Sequence, residues 1–251
     1  MQFFLKSIIS LLYGSLVLGR NKKKNNLRVL VYHSIGSGNS PENMWCLDSN
    51  YFSEHLSYLH EKKNIHLYSC TDLVESIPED GIMITFDDGF RDNFEIAAPL
   101  LFELKIPFSV FVVTDYIKKE KKGYMNPNML RELSENPLVT IGSHSKSHIP
   151  LTSFNQEELK SEISGSKSYL EDLLGEEISM FSYPHGRFNS LVKDAVFKAG
   201  YKLAFTSHYD VNYLNQDKLA LNRNEIWNTD NLQILKNKIA GDWDWLKYRS
   251  L

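Results

Sequence analysis

A recurring alternation constrains this chain more than any other feature. Short apolar runs rich in β-formers are separated by stretches with helical periodicity. The runs are residues 27–32 (LRVLVY), 81–86 (GIMITF), 108–113, 138–141, 178–182 and 203–206, with 219–221 as a candidate seventh. Between them, Asp48 or Ser49 can cap a helix that puts Phe52, Leu56 and Leu59 on one face. Residues 93–105 read as a helix stopped before Pro107. Asn155 caps a long helix that Gly175 ends, Asn189 caps another that stops at Gly200, and Thr229 or Asp230 opens a last one. Strands alternating with helices predict an α/β architecture, a parallel sheet covered by helices. At 251 residues and 42% hydrophobic content, a single domain curled into a closed or nearly closed barrel is the economical solution.

In such folds the chemistry sits beyond the C-terminal ends of the strands. His33, Asp87, Asp88, His144 and the turn Tyr183–Pro184–His185–Gly186 each fall just after a predicted strand. Distant stretches of sequence therefore converge on one rim. Composition narrows the chemistry further. The formal net charge of -3 gives no basic surface, which argues against a nucleic-acid partner. Cys46 and Cys70 have no CxxC or CxxH spacing, so a cysteine-based zinc site is excluded; two separate thiols are expected, with one disulfide as the alternative. Aromatic residues at 12% suit a sugar site, but core filling is the commoner use.

Adjacent carboxylates leaving a strand in extended form point to opposite sides. One of Asp87 and Asp88 can then hold a metal while the other faces substrate, with Gly89 permitting a sharp turn. Taken alone, Asp-Asp-Gly is also an ordinary polar turn. His144 and His148 form an HxxxH pair in a Ser-rich segment, either one helical turn or a loop. An isolated pair of this kind is more often two surface histidines. Joined to a carboxylate, two imidazoles make a facial ligand set with open positions for water and substrate.

Together these segments resemble the polysaccharide deacetylases, carbohydrate esterase family four. Thr85-Phe-Asp-Asp-Gly89 resembles the family's first motif, His144-Ser-Lys-Ser-His148 its second, and Phe181-Ser-Tyr-Pro-His-Gly186 its third. The resemblance covers roughly residues 28–241. It implies a distorted (β/α)7-type barrel as a single catalytic domain, residues 27–251. It also implies Asp87 as general base, and Asp88, His144 and His148 as ligands of one divalent ion. Zinc is the default, with cobalt, nickel or iron also fitting. Ser145 would hold the histidine loop by a hydrogen bond, and a backbone N–H near His185, in the turn that Tyr183 and Pro184 begin, would complete an oxyanion site. The chain lacks a C-terminal Leu-x-His motif. Leu30-Val-Tyr-His33 stands in its place, as in a circularly rearranged branch, and assigns His33 as general acid. Ser182 replaces an arginine that orients the base in many relatives, and Arg223 is the candidate replacement. His185 stands where relatives often have Tyr. The implied activity is removal of N-acetyl groups from amino sugars of a polysaccharide or lipid-linked glycan. The alternatives are O-deacetylation, a non-sugar amidase, or a non-catalytic glycan-binding relative. The Gly241-Asp-Trp-Asp-Trp245 tail reads as a packing segment.

Residues 1–26 stand apart. An apolar stretch at 3–18, interrupted by Lys6 and Gly14, is followed by Arg20, Lys22, Lys23 and Lys24. It is shorter than the ~20 apolar residues of a membrane span, and neither a basic leader nor a small-x-small cleavage site is evident. Two readings stand level: a helix lying on an anionic membrane surface, or a helix packed on the domain or a partner subunit. The corresponding locations are cytoplasmic and membrane-associated or, with an uncleaved anchor, extracytoplasmic.

Overall fold

The structure, a computed structural model, describes residues 2–17, 26–36 and 43–248. In chain order the elements are α1 (Gln2–Val17), β1 (Arg28–Tyr32), β2 (Ser34–Gly36), β3 (Cys46–Asp48), α2 (Ser49–Glu61), β4 (Leu67–Tyr68), α3 (Asp72–Glu75) and β5 (Ile82–Phe86). A π-helical turn, Asn93–Ala97, leads into α4 (Ala98–Glu103), followed by β6 (Phe108–Val112), α5 (Thr114–Lys118), α6 (Pro127–Ser134) and β7 (Val139–Ser143). Then come α7 (Gln156–Leu174), β8 (Met180–Ser182), α8 (Ser190–Lys198), β9 (Leu203–Phe205), β10 (Asn224–Glu225) and α9 (Leu232–Ala240). The capping residues act as their chemistry dictates. Asp48 accepts from Asn50 N–H, Asn155 forms a capping box with Glu158, and Asn189 accepts from Val192 N–H. The last helix begins slightly later than anticipated, capped by Asn231 in place of Thr229 or Asp230.

The main sheet is parallel and runs β10-β1-β5-β6-β7-β8-β9, with β4 on β5. It curls until its two ends nearly meet. The run at 219–221 is not a full strand: it makes a single parallel bridge, Leu221 to Phe205 of β9. Three residues later Asn224 pairs with Leu30 of β1. Residues 221–225 thus span the gap between the last strand and the first.

Strand alternation divides the core in two. Val29, Met83, Phe111, Met180, Leu203, Phe205 and Leu221 form one buried cluster with Cys70, Leu73 and Ile77. Their neighbours Leu30, Ile82, Ile84, Val110, Ile141, Phe181 and Ala204 pack in a second cluster with helical residues such as Leu56, Leu101, Leu159 and Val196. The first cluster fills the barrel and the second lies beneath the helices. Continued upward at a period of two, the inward set becomes His33 after Val29 and Val31, Asp87 after Met83 and Thr85, His144 after Gly142, and Ser182 after Met180. The pleat that buries apolar residues inside the barrel therefore also gathers polar ones at its mouth. Both cysteines are buried free thiols.

Candidate active site

Asp87 lies at the centre of the mouth. Its backbone N–H donates to Tyr32 O at 3.0 Å, which continues the β1–β5 ladder past both strand ends and sets His33 beside it. Arg223 Nη1 donates to Asp87 Oδ1 at 2.7 Å and Nη2 to Oδ2 at 2.6 Å, a bidentate pair almost wholly buried. Ser182 Oγ donates to Asp87 Oδ2 at 3.1 Å and accepts from Arg223 Nη2 at 2.9 Å. Arg223 Nε is anchored on Thr206 O at 2.8 Å. Burial by itself would raise the Asp87 pKa. The charge of Arg223 and its hydrogen bonds outweigh it and hold the carboxyl well below the usual carboxylate range. Asp87 is therefore an anion at neutral pH.

Asp88 does not point to the opposite side, as strand alternation would have it: His144 Nε2 lies 3.7 Å from Asp87 Oδ2 and 3.6 Å from Asp88 Oδ1, so both carboxylates face one ring. The chain is no longer extended there: Asp88 has φ 73° and Gly89 φ 76°, both left-handed. A Cβ on Gly89 would stand 2.8 Å from Val112 Cγ1, so glycine is required on both conformational and steric grounds. The HxxxH segment is a loop, not a helical turn, with Ser145 and His148 also left-handed at φ 64° and 62°. Non-glycine residues held in this region cost of order 1 kcal/mol each and persist where the surroundings over-determine them. Here the constraint is visible. Ser145 Oγ accepts from His148 N–H, and Glu162 on α7 accepts the N–H groups of both Lys146 and Ser147 at 3.1 and 2.9 Å. Ser145 thus does hold the loop. Glu162 was missed, although its position was legible: an acid within the buried stripe Leu159, Ile163 and Ser166 of α7 requires a partner.

The result is a compact ligand set. One donor atom from each of Asp88, His144 and His148 lies within 4.8 Å of the others. His144 Nδ1 bonds to Ser182 O at 2.7 Å, which makes Nδ1 the protonated nitrogen and leaves the Nε2 lone pair facing Asp88 Oδ1 at 3.6 Å. His148 Nε2 faces the same oxygen at 3.2 Å. Burial foremost pushes the His148 pKa down to about 4, so its ring is neutral at neutral pH. Asp88 Oδ1 is buried and accepts no hydrogen bond among the described residues. A buried carboxylate oxygen facing two imidazole lone pairs is an arrangement that a divalent cation satisfies and a dry site does not. The residues fit a metal.

Other rim residues take distinct places. His33 stacks on Trp45 at 4.6 Å, and its carbonyl accepts from Asn93 Nδ2 at 2.6 Å. Asp92 accepts from Ser34 Oγ at 2.5 Å and Ile35 N–H at 3.0 Å, fixing the strand that follows. Burial lowers the His33 pKa, opposed by the charges of Asp87 and Asp88. His185 has φ 57°, its ring is 4.5 Å from that of His148, and its Nε2 is 3.2 Å from His148 O, so it walls the metal-ligand side. Tyr183 does not reach the mouth. Its ring is buried on Phe188 and its hydroxyl donates to Leu219 O, so it and buried Pro184 support the turn from below. On the opposite side, Phe90 and Tyr124 stack at 4.8 Å, and burial together with the Asp88 charge pushes the Tyr124 phenol up to about 12. Tyr124, from a loop between helices, had no periodicity to mark it.

A curled parallel barrel carrying a two-histidine, one-carboxylate cluster beside a second, arginine-clamped carboxylate has the architecture of a deacetylating hydrolase. The profile of the polysaccharide deacetylase family matches residues 75–204, more than half of the chain, and the protein belongs to that family. The Bacillus subtilis (strain 168) protein YxkH, a polysaccharide deacetylase by name, is 28% identical over 211 residues, covering 81% of this chain and 72% of YxkH. The poly-β-1,6-N-acetyl-D-glucosamine N-deacetylase of Staphylococcus aureus (strain MRSA252) is 25% identical over 142 residues, 51% of this chain and 48% of that enzyme. The structure of the Streptococcus pyogenes deacetylase PplD in complex with acetate superposes with a TM-score of 0.78 at 21% identity, covering 86% of this chain and 99% of PplD. The shared fold is the (β/α)7-type barrel.

Proposed function

We propose that this protein removes N-acetyl groups from the amino sugars of a polysaccharide or lipid-linked glycan. The observation that carries the reading is the division between two adjacent carboxylates: Asp88 converges with His144 and His148, while Asp87 is clamped by Arg223. A second support is the name of the Staphylococcus aureus relative, an N-deacetylase of an amino-sugar polymer.

Asp88, His144 and His148 would hold one divalent ion, zinc by default for this donor set. When bound, the ion would polarise the acetyl carbonyl and acidify water at neutral pH. Asp87, ionised and fixed in orientation, takes the proton of the attacking water. The bidentate pair with Arg223 fixes the orientation of the Asp87 carboxylate. His33, one residue past β1 and within the fields of Asp87 and Asp88, donates the proton that the leaving amine needs. Burial favours its neutral ring, and the charges of Asp87 and Asp88 favour the protonated ring from which the proton is given. In the turn, Gly186 N–H is taken by Tyr183 O and Arg187 N–H by Pro184 O, which leaves the His185 N–H as the candidate oxyanion donor. The stacked Phe90 and Tyr124 rings offer an apolar face to a sugar ring.

The test is acetate release from N-acetylglucosamine oligomers and, separately, from acetylxylan. Release from the amide substrate, abolished in Asp87→Asn, supports the reading. Release from the ester alone would overturn it.

A further inference from the structure

Helix α1 docks on the domain by the wrong face for a soluble protein. Amphipathic helices bury their apolar stripe and leave polar residues in water. In α1 the buried side is Lys6, Ser10, Tyr13 and Gly14, spaced as one helical face. Lys6 Nζ lies 4.4 Å from the Trp227 ring, and Ser10 Oγ accepts from Trp245 Nε1 at 2.8 Å. A Cβ on Gly14 would stand 2.2 Å from Asp242 Oδ1, so a larger residue there would displace that side chain. The outward side is Leu5, Ile8, Ile9, Leu11 and Leu12, with Leu5, Leu11 and Leu12 58%, 60% and 56% exposed. The docking contacts are specific polar ones, so the helix is held in a defined orientation with its apolar face presented outward.

The C-terminal segment against which α1 docks carries exposed aromatic residues, and Lys247 Nζ lies 5.5 Å from the Tyr248 ring centroid. Tyr248 is 76% exposed and Tyr213 46%. Exposed Tyr beside Lys is a composition that membrane interfaces favour, where rings sit at headgroup level and cations reach the phosphates. The charge distribution selects the partner. Residues 1–26 contain Lys6, Arg20, Lys22, Lys23 and Lys24 and no acid, although the whole chain carries a net charge of -3. The basic cluster that follows α1 lies outside the described residues. An acidic body carrying one basic, apolar segment complements an anionic lipid surface. Among the described residues no helix is long and apolar enough to cross a membrane.

We infer that the outward face of α1 docks this protein onto an anionic phospholipid surface. The docked side of α1 connects to the catalytic mouth through a short chain of contacts. Lys6 packs on Trp227, Asn228 N–H donates to Met44 O at 2.9 Å, and neighbouring Trp45 stacks on His33. Docking therefore holds the mouth close to the lipid, where a membrane-borne glycan would be presented.

The test is co-sedimentation of the full chain with vesicles of phosphatidylcholine alone and with added phosphatidylglycerol. The full chain should sediment with the anionic vesicles and dissociate in high salt. Ile8→Ser/Leu12→Ser should weaken binding by more than about tenfold, with unchanged thermal unfolding and unchanged acetate release from soluble oligomers. Equal binding of this variant and the parent protein would overturn the proposal, as would equal binding to both vesicle types. So would a dimer in analytical ultracentrifugation that the variant dissolves while neither protein binds lipid, since a second copy would then be the occupant.

Discussion

Arg223 and Asp87 are 136 residues apart in sequence and share two hydrogen bonds of 2.7 and 2.6 Å in the mouth of the barrel. The pair joins the segment that closes the sheet to the residue that ends β5. One interaction therefore serves both closure and chemistry. Replacing Arg223 with Met would leave Asp87 buried against a neutral neighbour. Losing one partner of a buried pair typically costs about 3–5 kcal/mol, and the Asp87 pKa would rise. Urea unfolding should show a loss in this range, and turnover should fall about a hundredfold or more. Asp87→Asn/Arg223→Met should be less destabilised than the sum of its single variants, because the stranded charge is gone. Strict additivity would show that the pair is not coupled.

Glu162 makes a second prediction. Its carboxylate holds two backbone N–H groups between His144 and His148. Glu162→Ala should leave the fold intact by circular dichroism yet weaken zinc binding by about 10–100-fold, the usual range for residues that position metal ligands. Glu162→Gln, which keeps an acceptor oxygen, should recover part of the affinity. Zinc titration by calorimetry measures both. Unchanged affinity in the alanine variant would place loop order elsewhere.

His55 predicts how stability responds to pH. It lies fully buried on α2, with Nδ1 3.2 Å from the Tyr32 hydroxyl. Burial, offset in part by the backbone at Asn231 and Asp230, pushes its pKa down to about 4 from an ordinary 6.5. In the folded protein the ring stays neutral between these values, whereas in the unfolded chain it takes up a proton. Stability is therefore unaffected by His55 above pH 6.5 and falls as pH drops from there toward 4. By linkage the loss amounts to about 3 kcal/mol. Chemical denaturation across this window, in the parent protein and in His55→Phe, isolates the effect. The variant should lack that part of the slope.

The strands and most helices were legible because their determinants are local. Apolar β-rich runs, Asn and Asp caps and terminal glycines act within a few residues, and β1, β5, β6, β8 and β9 appear within about two residues of where these determinants put them. The rim residues were legible because each ends such a run. What could not be read depends on distant chain. β10 is two residues long and exists because β1 offers an edge, and the pairing of β2 with β3 is likewise non-local. The turn at Asp88 was misjudged because left-handed backbone at a non-glycine residue is imposed by surroundings that no local pattern encodes. Arg223 was found by asking where a missing positive charge could come from, and the geometry supplied the answer.

Gly142 tests how far packing inside the barrel reaches the site. It is the inward residue of β7 below His144, and a Cβ there would stand 2.4 Å from Cδ1 and 2.5 Å from Cε1 of Phe111. Phe111 has little room to retreat. Its ring is 5.2 Å from that of Phe205 on one side, and the Arg223 guanidinium lies 5.9 Å from its centroid. Gly142→Ala should therefore cost about 1–3 kcal/mol, the usual penalty for overpacking. Displacing Phe111 also disturbs the arginine that clamps Asp87, so turnover should fall together with stability. Gly142→Ala/Phe111→Leu separates the two effects, because the smaller side chain relieves the Phe111 clash and leaves only the tighter approach to Met180 O, at 3.1 Å. Recovery of both melting temperature and acetate release in the double variant is the expected result. A double variant that regains stability but not activity would mean that Phe111 itself, rather than the space it occupies, holds Arg223 in place.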